Sequence, residues 1–357
     1  MKSSLLQSRN IQLSGGNIFE IDALTQRIIY MNDQSPQNDP DLYFEDGNVI
    51  FQAQNTNFRL HRSIIATRSS VFRDMFSFPQ HSDASDRVDG CVVICLPDSA
   101  EDMQSFFLAI YDFSYFNPYP CPVNAETVAS VLAISHKYDA SALFNRAHEH
   151  LSHVLPCTLD EWLEINGTGS VTFSPNRVVH ALLKIIIVTS TINAVWLLPT
   201  ALYILCNHPL ERILDHPYWN SGEISESLKR NILVGYKKQL VSILHRVRDL
   251  TTYAPTDRCI SQRLCTASVR AWDRSHRGKP IGWFSPMSKK DSCDASYYDA
   301  LCKECAANLK PSIQNAKEEM WNSLPLNFGL PAWEELKRLK EGFTLVENAK
   351  GESIVAP

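Results

Sequence analysis

The sequence predicts an α+β fold, in which a small sheet with helices precedes an α-helical region and a cysteine-rich C-terminal region of irregular and helical structure. Three observations support this prediction. Residues 48–60 alternate apolar and polar side chains around a short polar turn. Apolar residues then recur at helical spacing along most of the chain. Five of the 10 cysteines lie after residue 258, so the last region differs in composition from the rest.

The first elements follow from local patterns. Val49, Phe51 and Ala53 alternate with polar residues, as in a half-buried strand, and Asn55-Thr56-Asn57 is turn-forming. We therefore predict a β-hairpin over 48–60. The polar run 34–40 is predicted to be a linker, and the first ten residues are predicted to be disordered.

Two short helices and a second strand are predicted next. Ile64–Ala66 form one apolar patch, and Val71–Phe76 contain a second patch that Ser69 or Ser70 can cap. The apolar run Val92–Leu96 lies between Gly90 and Pro97 and suits a buried strand. Amphipathic helices are predicted from there to about residue 155.

This series of elements resembles the BTB/POZ domain. The hairpin strand leads into Phe58-Arg59-Leu60-His61-Arg62, and then into Ser69-Ser70-Val71-Phe72-Arg73-Asp74-Met75-Phe76. Leu96-Pro97-Asp98, Tyr111 and Leu132–Tyr138 are similar to later signals of the family. The resemblance covers about residues 42–155, and the layout of the whole chain is similar to an expanded BTB set in mushroom-forming fungi.

The resemblance implies a protein–protein interaction module without catalytic activity. It implies self-association or pairing with another BTB domain, and use as an adapter of a cullin-type ubiquitin ligase or in transcription. The partner surface would involve the first strand and the first helices. Its predicted residues are Val49, Phe51, Phe58, His61, Arg62, Phe72, Met75 and Phe76.

One family feature is altered in this sequence. The family places a charged pocket beside its dimer interface, built from an Asp that opens the first strand and the base after the His. Here Asn48 stands at the Asp position and Arg62 supplies the base. The ion pair is therefore missing or rebuilt from Asp46. In the alternative that we favour, His61 satisfies backbone groups where the strand becomes a helix.

Residues 156–250 are predicted to be helical. The stretch 185–206 contains no charged residue and is long enough to span a bilayer. Polar residues at 189–193 and Pro199 interrupt it, so two buried helices joined near Asn193 are preferred, and no membrane association is expected. The predicted regions are a weakly ordered segment 1–41, the BTB domain 42–155, helices 156–250, and the cysteine-rich basic region 251–357.

The start of the chain lacks the apolar core of a signal peptide, which indicates an intracellular, reducing compartment, either cytoplasmic or nuclear. The cysteines are then expected to be thiols or metal ligands rather than disulfides. Cys302 and Cys305 have the C-x-x-C spacing that holds one tetrahedral zinc ion. Cys259 and Cys265 form the second, wider pair, with Cys293 and His276 as substitutes. Buried free cysteines are the open alternative.

Charge is distributed unevenly along the chain. Between residues 229 and 290 there are 14 Lys and Arg against three acids, a local net charge of +11 in a chain of net −5. Tyr253, Trp272, Trp283 and Phe284 are interleaved, a pattern that suits nucleic acid. Association of residues 229–310 with nucleic acid is the alternative function. The competing interpretation of these charges is an ordinary solvated face. No G-x-S-x-G, H-E-x-x-H or P-loop pattern occurs, so no enzyme is predicted.

Overall fold

The computed structural model describes side chains and backbone for residues 35–78, 87–165, 170–275, 299 and 301–343. It describes the backbone alone for 10–12, 18–21, 28–31, 276 and 344–352. Of the first ten residues, which were predicted to be disordered, 1–9 lie outside these ranges, and the prediction is wrong for Asn10, which begins a strand. The α+β class predicted from the sequence is confirmed. Two compact units form, of which the first contains residues 1–63 and 79–100 and the second contains 64–78 and 101–357.

The first unit contains a five-stranded mixed sheet. Its strands in chain order are β4 (Gln37–Tyr43), β5 (Val49–Ala53), β6 (Thr56–Leu60), β7 (Arg87–Val88) and β8 (Cys91–Leu96). Their spatial order is β4-β6-β5-β8-β7. The central strand β5 runs antiparallel to β6 and parallel to β8. A separate antiparallel sheet joins β1 (Asn10–Gln12), β2 (Ile18–Ile21) and β3 (Ile28–Met31).

The predicted hairpin is confirmed. Val49 pairs with Leu60 and Ala53 pairs with Thr56, so the connection is only Gln54 and Asn55. Gln54 adopts a positive φ of 51°, the backbone conformation that tight hairpin turns require. The predicted buried strand exists as β8, but only its ends, Cys91 and Leu96, are buried.

The predicted polar linker at 34–40 is wrong, because strand β4 begins at Gln37. Its partner is β6, to which it runs parallel. Only Leu42 and Asp39 are buried in β4, and the Asp39 carboxylate accepts hydrogen bonds from the backbone N–H groups of Asp41 and Leu42, each at 3.0 Å. A strand at the edge of a sheet needs little apolar surface, so the sequence pattern missed it.

Short helices follow the hairpin, beginning with α1 (Arg62–Arg68) and α2 (Ser70–Ser77). Ser69 caps α2, since its hydroxyl accepts from the Phe72 N–H at 3.1 Å, as predicted. The next elements are α3 (Ala100–Tyr111), β9 (Val123–Asn124), α4 (Ala125–Lys137), α5 (Ser141–Val154) and α6 (Leu159–Glu164). In the second unit the Phe72 and Tyr138 rings stack with centroids 4.4 Å apart.

The uncharged stretch forms two helices, as predicted. The elements of this part are β10 (Val171–Thr172), α7 (Val178–Thr191), a 3₁₀ turn (Val195–Leu197), α8 (Leu198–Leu205), α9 (Leu210–Leu214) and α10 (Pro217–Asn220). Asn193 has a positive φ of 60° where the chain turns between α7 and the 3₁₀ turn. Among the described helices, none combines the length and the hydropathy needed to cross a bilayer.

The last described helices are α11 (Glu226–Thr251), α12 (Gln262–His276), α13 (Lys303–Asn327) and α14 (Trp333–Glu352). Three of them share a hydrophobic core, to which α11, α12 and α13 each contribute two buried residues. These are Ile243, Leu250, Val269, Trp272, Leu309 and Ile313. The core fixes the starts of α12 and α13 relative to the end of α11.

Candidate metal centre and partner surface

Four cysteines from two distant stretches converge in the second unit. Cys259 precedes α12, Cys265 lies in the first turn of α12, Cys302 is the N-cap of α13, and Cys305 is its third residue. Their sulfur atoms all lie within 4.8 Å of one another. The sequence had singled out these four residues, and the structure brings them together. Of the substitutes, Cys293 lies outside the described residues, as does the side chain of His276.

The spacing of the sulfur atoms suits a tetrahedral metal ion. A zinc ion bound at about 2.3 Å by four sulfurs places those sulfurs about 3.8 Å apart. The Sγ atoms of Cys259 and Cys302 are 3.8 Å apart. A disulfide would need about 2.05 Å, and both residues are free thiols here. The four residues therefore match the donor set and the dimensions of a closed, structural zinc site.

The backbone around the cluster favours thiolates. The N–H of Cys302 donates to the Sγ of Cys265 at 3.3 Å. Two helix N-termini meet here, and their exposed N–H groups and dipoles stabilise negative charge. Nearby, the hydroxyl of Tyr253 donates to the carbonyl of Cys305 at 3.1 Å. Such contacts hold the ligands in position and lower the cost of gathering four negative sulfurs.

The thiols of the cluster titrate differently from one another. The backbone N–H of Cys305 chiefly lowers the pKa of Cys302, to about 6. Burial raises the pKa of Cys259 and also that of Cys265. Without a metal, Cys302 therefore carries a negative charge more readily than Cys259 or Cys265. A bound metal ion would displace those protons, as ligation by four thiolates requires.

The predicted partner residues divide by burial. Val49, Phe51, Phe58 and Phe72 are at most 1% exposed and belong to the core of the chain. His61, Arg62, Met75 and Phe76 are partly exposed. Their role in partner binding stays a prediction. Three large apolar side chains of the same stretch are more exposed but were not among the predicted partner residues, namely Ile64 at 38%, Val71 at 37% and Phe78 at 68%.

At the altered pocket, His61 contacts Asp46. Nε2 of His61 lies 3.1 Å from Oδ1 of Asp46, and the His61 ring lies 5.4 Å from that of Phe44. Asn48 accepts a hydrogen bond from the Arg62 N–H at 2.9 Å. Asn48 therefore satisfies one backbone group where the strand becomes a helix, and His61 faces an acid. The interpretation of His61 as a residue that satisfies backbone groups stays a prediction.

A polar network between helices α3, α4 and α7 was missed altogether. The ammonium of Lys184 is buried and contacts both Asp102 and the hydroxyl of Ser130, the latter at 2.7 Å. The Arg177 guanidinium bridges Glu101 at 3.1 Å and Glu126 at 2.9 Å. The available signal was a lysine within the apolar run of α7, since a buried lysine needs partners.

The same network accounts for a second cluster of metal-ligand side chains. Glu101, Glu126 and His180 place ligand atoms within 4.8 Å of one another. Arg177 already pairs with both carboxylates, and its Nη2 atom is 3.2 Å from Nε2 of His180. Burial and this guanidinium lower the pKa of His180 to about 4. We assign the cluster to an ion-pair network, in which His180 is neutral near pH 7.

A polar cavity of about 540 Å³ lies beside helices α5 and α6. The Tyr119 ring stacks on His153 at its edge, with centroids 3.8 Å apart. Ser152 lines the cavity, and its hydroxyl is 3.5 Å from Nε2 of His148. That separation exceeds the roughly 2.6–3.2 Å of a nucleophile with its activating base. The cavity has the size of a ligand site, but these contacts do not define a reaction.

Taken together, the chain combines an α+β domain with a helical region that contains a four-cysteine cluster. A comparison with protein families identifies the first part: residues 43–155 match the BTB/POZ domain. The predicted domain is therefore confirmed, within one residue of its expected start. BTB/POZ domains mediate protein–protein contacts, so this part of the chain is a protein–protein interaction module in general terms. A search of curated proteins found none that matches the chain.

Proposed function

We propose that the chain is a non-enzymatic adapter or scaffold whose BTB/POZ domain binds a further copy of itself or another BTB domain. One observation carries the proposal: Ile64, Val71 and Phe78 expose large apolar side chains within a single stretch of that domain. Exposed apolar side chains that are close together mark interaction surfaces in soluble domains. Use in ubiquitin ligation or transcription, and kinship with the expanded fungal set, are further expectations of the same proposal.

The second part of the proposal is a structural zinc ion held by Cys259, Cys265, Cys302 and Cys305. Support comes from their convergence and from the sulfur spacing of 3.8 Å. All four positions of the tetrahedron are taken by protein, which is the arrangement of a structural rather than a catalytic ion. Thiolate ligation also fits the expected reducing, intracellular compartment.

Association with nucleic acid by residues 229–310 is the second candidate function. It is favoured by the exposed bases of α11 and α12, which include Arg230, Lys237, Lys238 and Arg270. Mixed-sequence DNA and RNA would bind through phosphate contacts, so affinity should fall steeply between low and physiological salt. Absence of binding at low salt would end this candidate.

Light scattering of the purified chain tests the adapter proposal. We expect a concentration-dependent dimer or larger assembly that Val71→Asp or Phe78→Asp converts to monomer, because a buried carboxylate at an apolar contact is costly. Leu163→Asp is the matched control, since Leu163 is 37% exposed but lies outside the BTB/POZ match. A chain that stays monomeric and captures neither its own copies nor BTB partners would contradict the proposal.

A further inference from the structure

The exposed side of helix α11 carries a regular series of side chains. Arg230, Val234, Lys237, Val241, Leu244 and Arg248 follow one another at alternating intervals of four and three residues. That spacing of 3.5 residues on average is the repeat by which one helix meets another in a coiled coil. We call these six residues the α11 seam. It extends over 19 residues, or about 27 Å of helix.

The centre of the seam is apolar and open to solvent. Val234 and Val241 are each 41% exposed, and Leu244 is 51% exposed. Leu233, 40% exposed, adds to the same side. The opposite side of α11, with Ile232, Ile243 and Leu250, is already buried. The seam is therefore not part of the internal packing of α11. Val234 and Val241 share one core position of the heptad and Leu244 occupies the other, as in two-stranded coiled coils.

The charges of the seam select among partners. Arg230, Lys237 and Arg248 lie in the seam itself and Lys238 lies beside it, whereas the adjacent acid Asp249 pairs with Arg248 at 3.2 Å. Two copies of α11 in parallel would place Lys237 opposite Lys237, and antiparallel copies would place Arg230 opposite Arg248. Like charges at these contacts are unfavourable. A partner helix with Asp and Glu on either side of its apolar stripe would instead gain ion pairs with Arg230, Lys237 and Lys238.

We infer that the α11 seam binds an amphipathic α-helix of a partner protein, one with an apolar stripe bordered by Asp and Glu. The phosphates of a nucleic acid could pair with the Lys and Arg side chains of the seam. They would leave Val234, Val241 and Leu244 without suitable contacts, because these side chains neither stack on nucleobases nor donate to phosphates. The seam is separate from the apolar stretch of the BTB/POZ domain, so this inference stands or falls independently of self-association.

A binding measurement on the full chain tests the inference. The probe is a fluorescent helical peptide of about three heptads with Leu at both core positions and Glu at the flanking positions. A matched peptide with Lys in place of Glu is the control ligand. We expect the acidic peptide to bind with a Kd in the micromolar range and the basic peptide to bind at least about tenfold more weakly, a difference of about 1.4 kcal/mol.

Variants of the chain locate the contact. The double change Val241→Lys and Leu244→Lys should weaken binding of the acidic peptide at least about tenfold, although it raises the local positive charge. Leu326→Lys is the matched control, because Leu326 is 57% exposed on α13, and it should leave binding unchanged. Lys237→Glu with Lys238→Glu should reverse the preference and favour the basic peptide. This reversal cannot come from a loss of folding, which circular dichroism would verify for each variant.

Three outcomes would overturn the inference: no binding of the acidic peptide, binding that the Val241 and Leu244 changes do not weaken, or equal binding of both peptides. Mixed-sequence DNA provides the remaining arm. The exposed side of α11 is a nucleic-acid surface instead if three results occur together. DNA binds the chain, the variant with Val241→Lys and Leu244→Lys binds DNA more tightly, and the acidic peptide fails to bind.

Discussion

The backbone N–H of Cys302 donates to the Sγ atom of Cys265, and this contact joins the first turns of two helices that are far apart in sequence. Both sulfurs lie where helix dipoles favour negative charge. The geometry makes a hydrogen-bonded thiolate, rather than a buried apolar thiol, the natural state of Cys265 when a cation is bound. This distinction between ligands and apolar thiols leads to the first two predictions.

Replacing one ligand should abolish zinc retention. Purified chain should contain about one equivalent of zinc, and Cys305→Ser should contain far less, because three thiolates and a hydroxyl bind zinc more weakly than four thiolates. If zinc is present at a thousandfold excess over its Kd, its loss should reduce the free energy of unfolding by about 4 kcal/mol. Elemental analysis and thermal unfolding provide the two measurements.

The control for this prediction is Cys95→Ser. Cys95 is exposed on β8 and lies outside the four-cysteine cluster. Its replacement should change neither the zinc content nor the unfolding temperature. Equal zinc contents in the wild type and in Cys305→Ser would show that the cluster is not the metal site.

Chelated protein should expose a reactive thiolate at Cys302. The pKa of this thiol is lowered to about 6, chiefly by the Cys305 N–H, so its alkylation rate should rise with pH through about 6 and level off above 7. Cys259, whose pKa is raised by burial, should react more slowly at neutral pH. Peptide mass spectrometry after brief iodoacetamide treatment measures both rates, and added zinc should suppress both. Equal rates at pH 7 would contradict the assignment.

Removing the buried ammonium of Lys184 should destabilise the second unit. Lys184→Met leaves the partly buried Asp102 carboxylate without its cation, at a cost of about 3–5 kcal/mol in the free energy of unfolding. Adding Asp102→Asn should recover part of the loss, because no uncompensated charge then remains. Chemical denaturation measures both values. Arg338→Met is the control, since its pair with Glu335 is exposed and contributes at most about 1 kcal/mol; a similar loss there would refute the argument.

Two glycines in helices should respond in opposite directions to alanine. A Cβ atom at Gly235 in α11 would collide with the buried ring of Phe328, so Gly235→Ala should cost about 1–3 kcal/mol of stability. A Cβ atom at Gly342 in α14 would meet nothing within 4 Å. Gly342→Ala should therefore stabilise the chain by up to about 1 kcal/mol through helix propensity. Thermal unfolding that ranks the two variants in the reverse order would show that the α11–α13 packing differs from that described.

Sequence patterns predicted the elements whose side chains repeat regularly. The hairpin 48–60 follows from the alternation of Val49, Phe51 and Ala53 with polar residues. Its register does not, because the turn is Gln54-Asn55 rather than the predicted 55–57, and Ile50 is buried as well. Long helices such as α11 follow from apolar periodicity. The structure adds that the Ser225 hydroxyl caps α11 by accepting from the Leu228 N–H at 3.3 Å. The four cysteines could be named in advance because only a few residue types bind zinc and one pair had the standard spacing.

Contacts between distant residues were beyond reach of the sequence. Strand β4 has almost no apolar pattern, because its pairing depends on β6 rather than on its own composition. His61 and Asp46 are brought together by the hairpin, and a single sequence does not indicate which acid a histidine will face. Lys184 appeared as one charge in an apolar helix, and its partners lie on α3 and α4. In each case the missing information is tertiary.

The network around Lys184 also affects how the chain should be divided for experiments. The family match ends at residue 155. Inside it, Asp102 and Ser130 contact Lys184 of α7 and Glu126 pairs with Arg177, the N-cap of α7, and both cations lie outside the match. Strand β9 likewise pairs with β10 beyond the match. A fragment that stops at residue 155 would present acids and an open strand edge to water, and would lack the bases that neutralise them. The unit to express extends at least through α7.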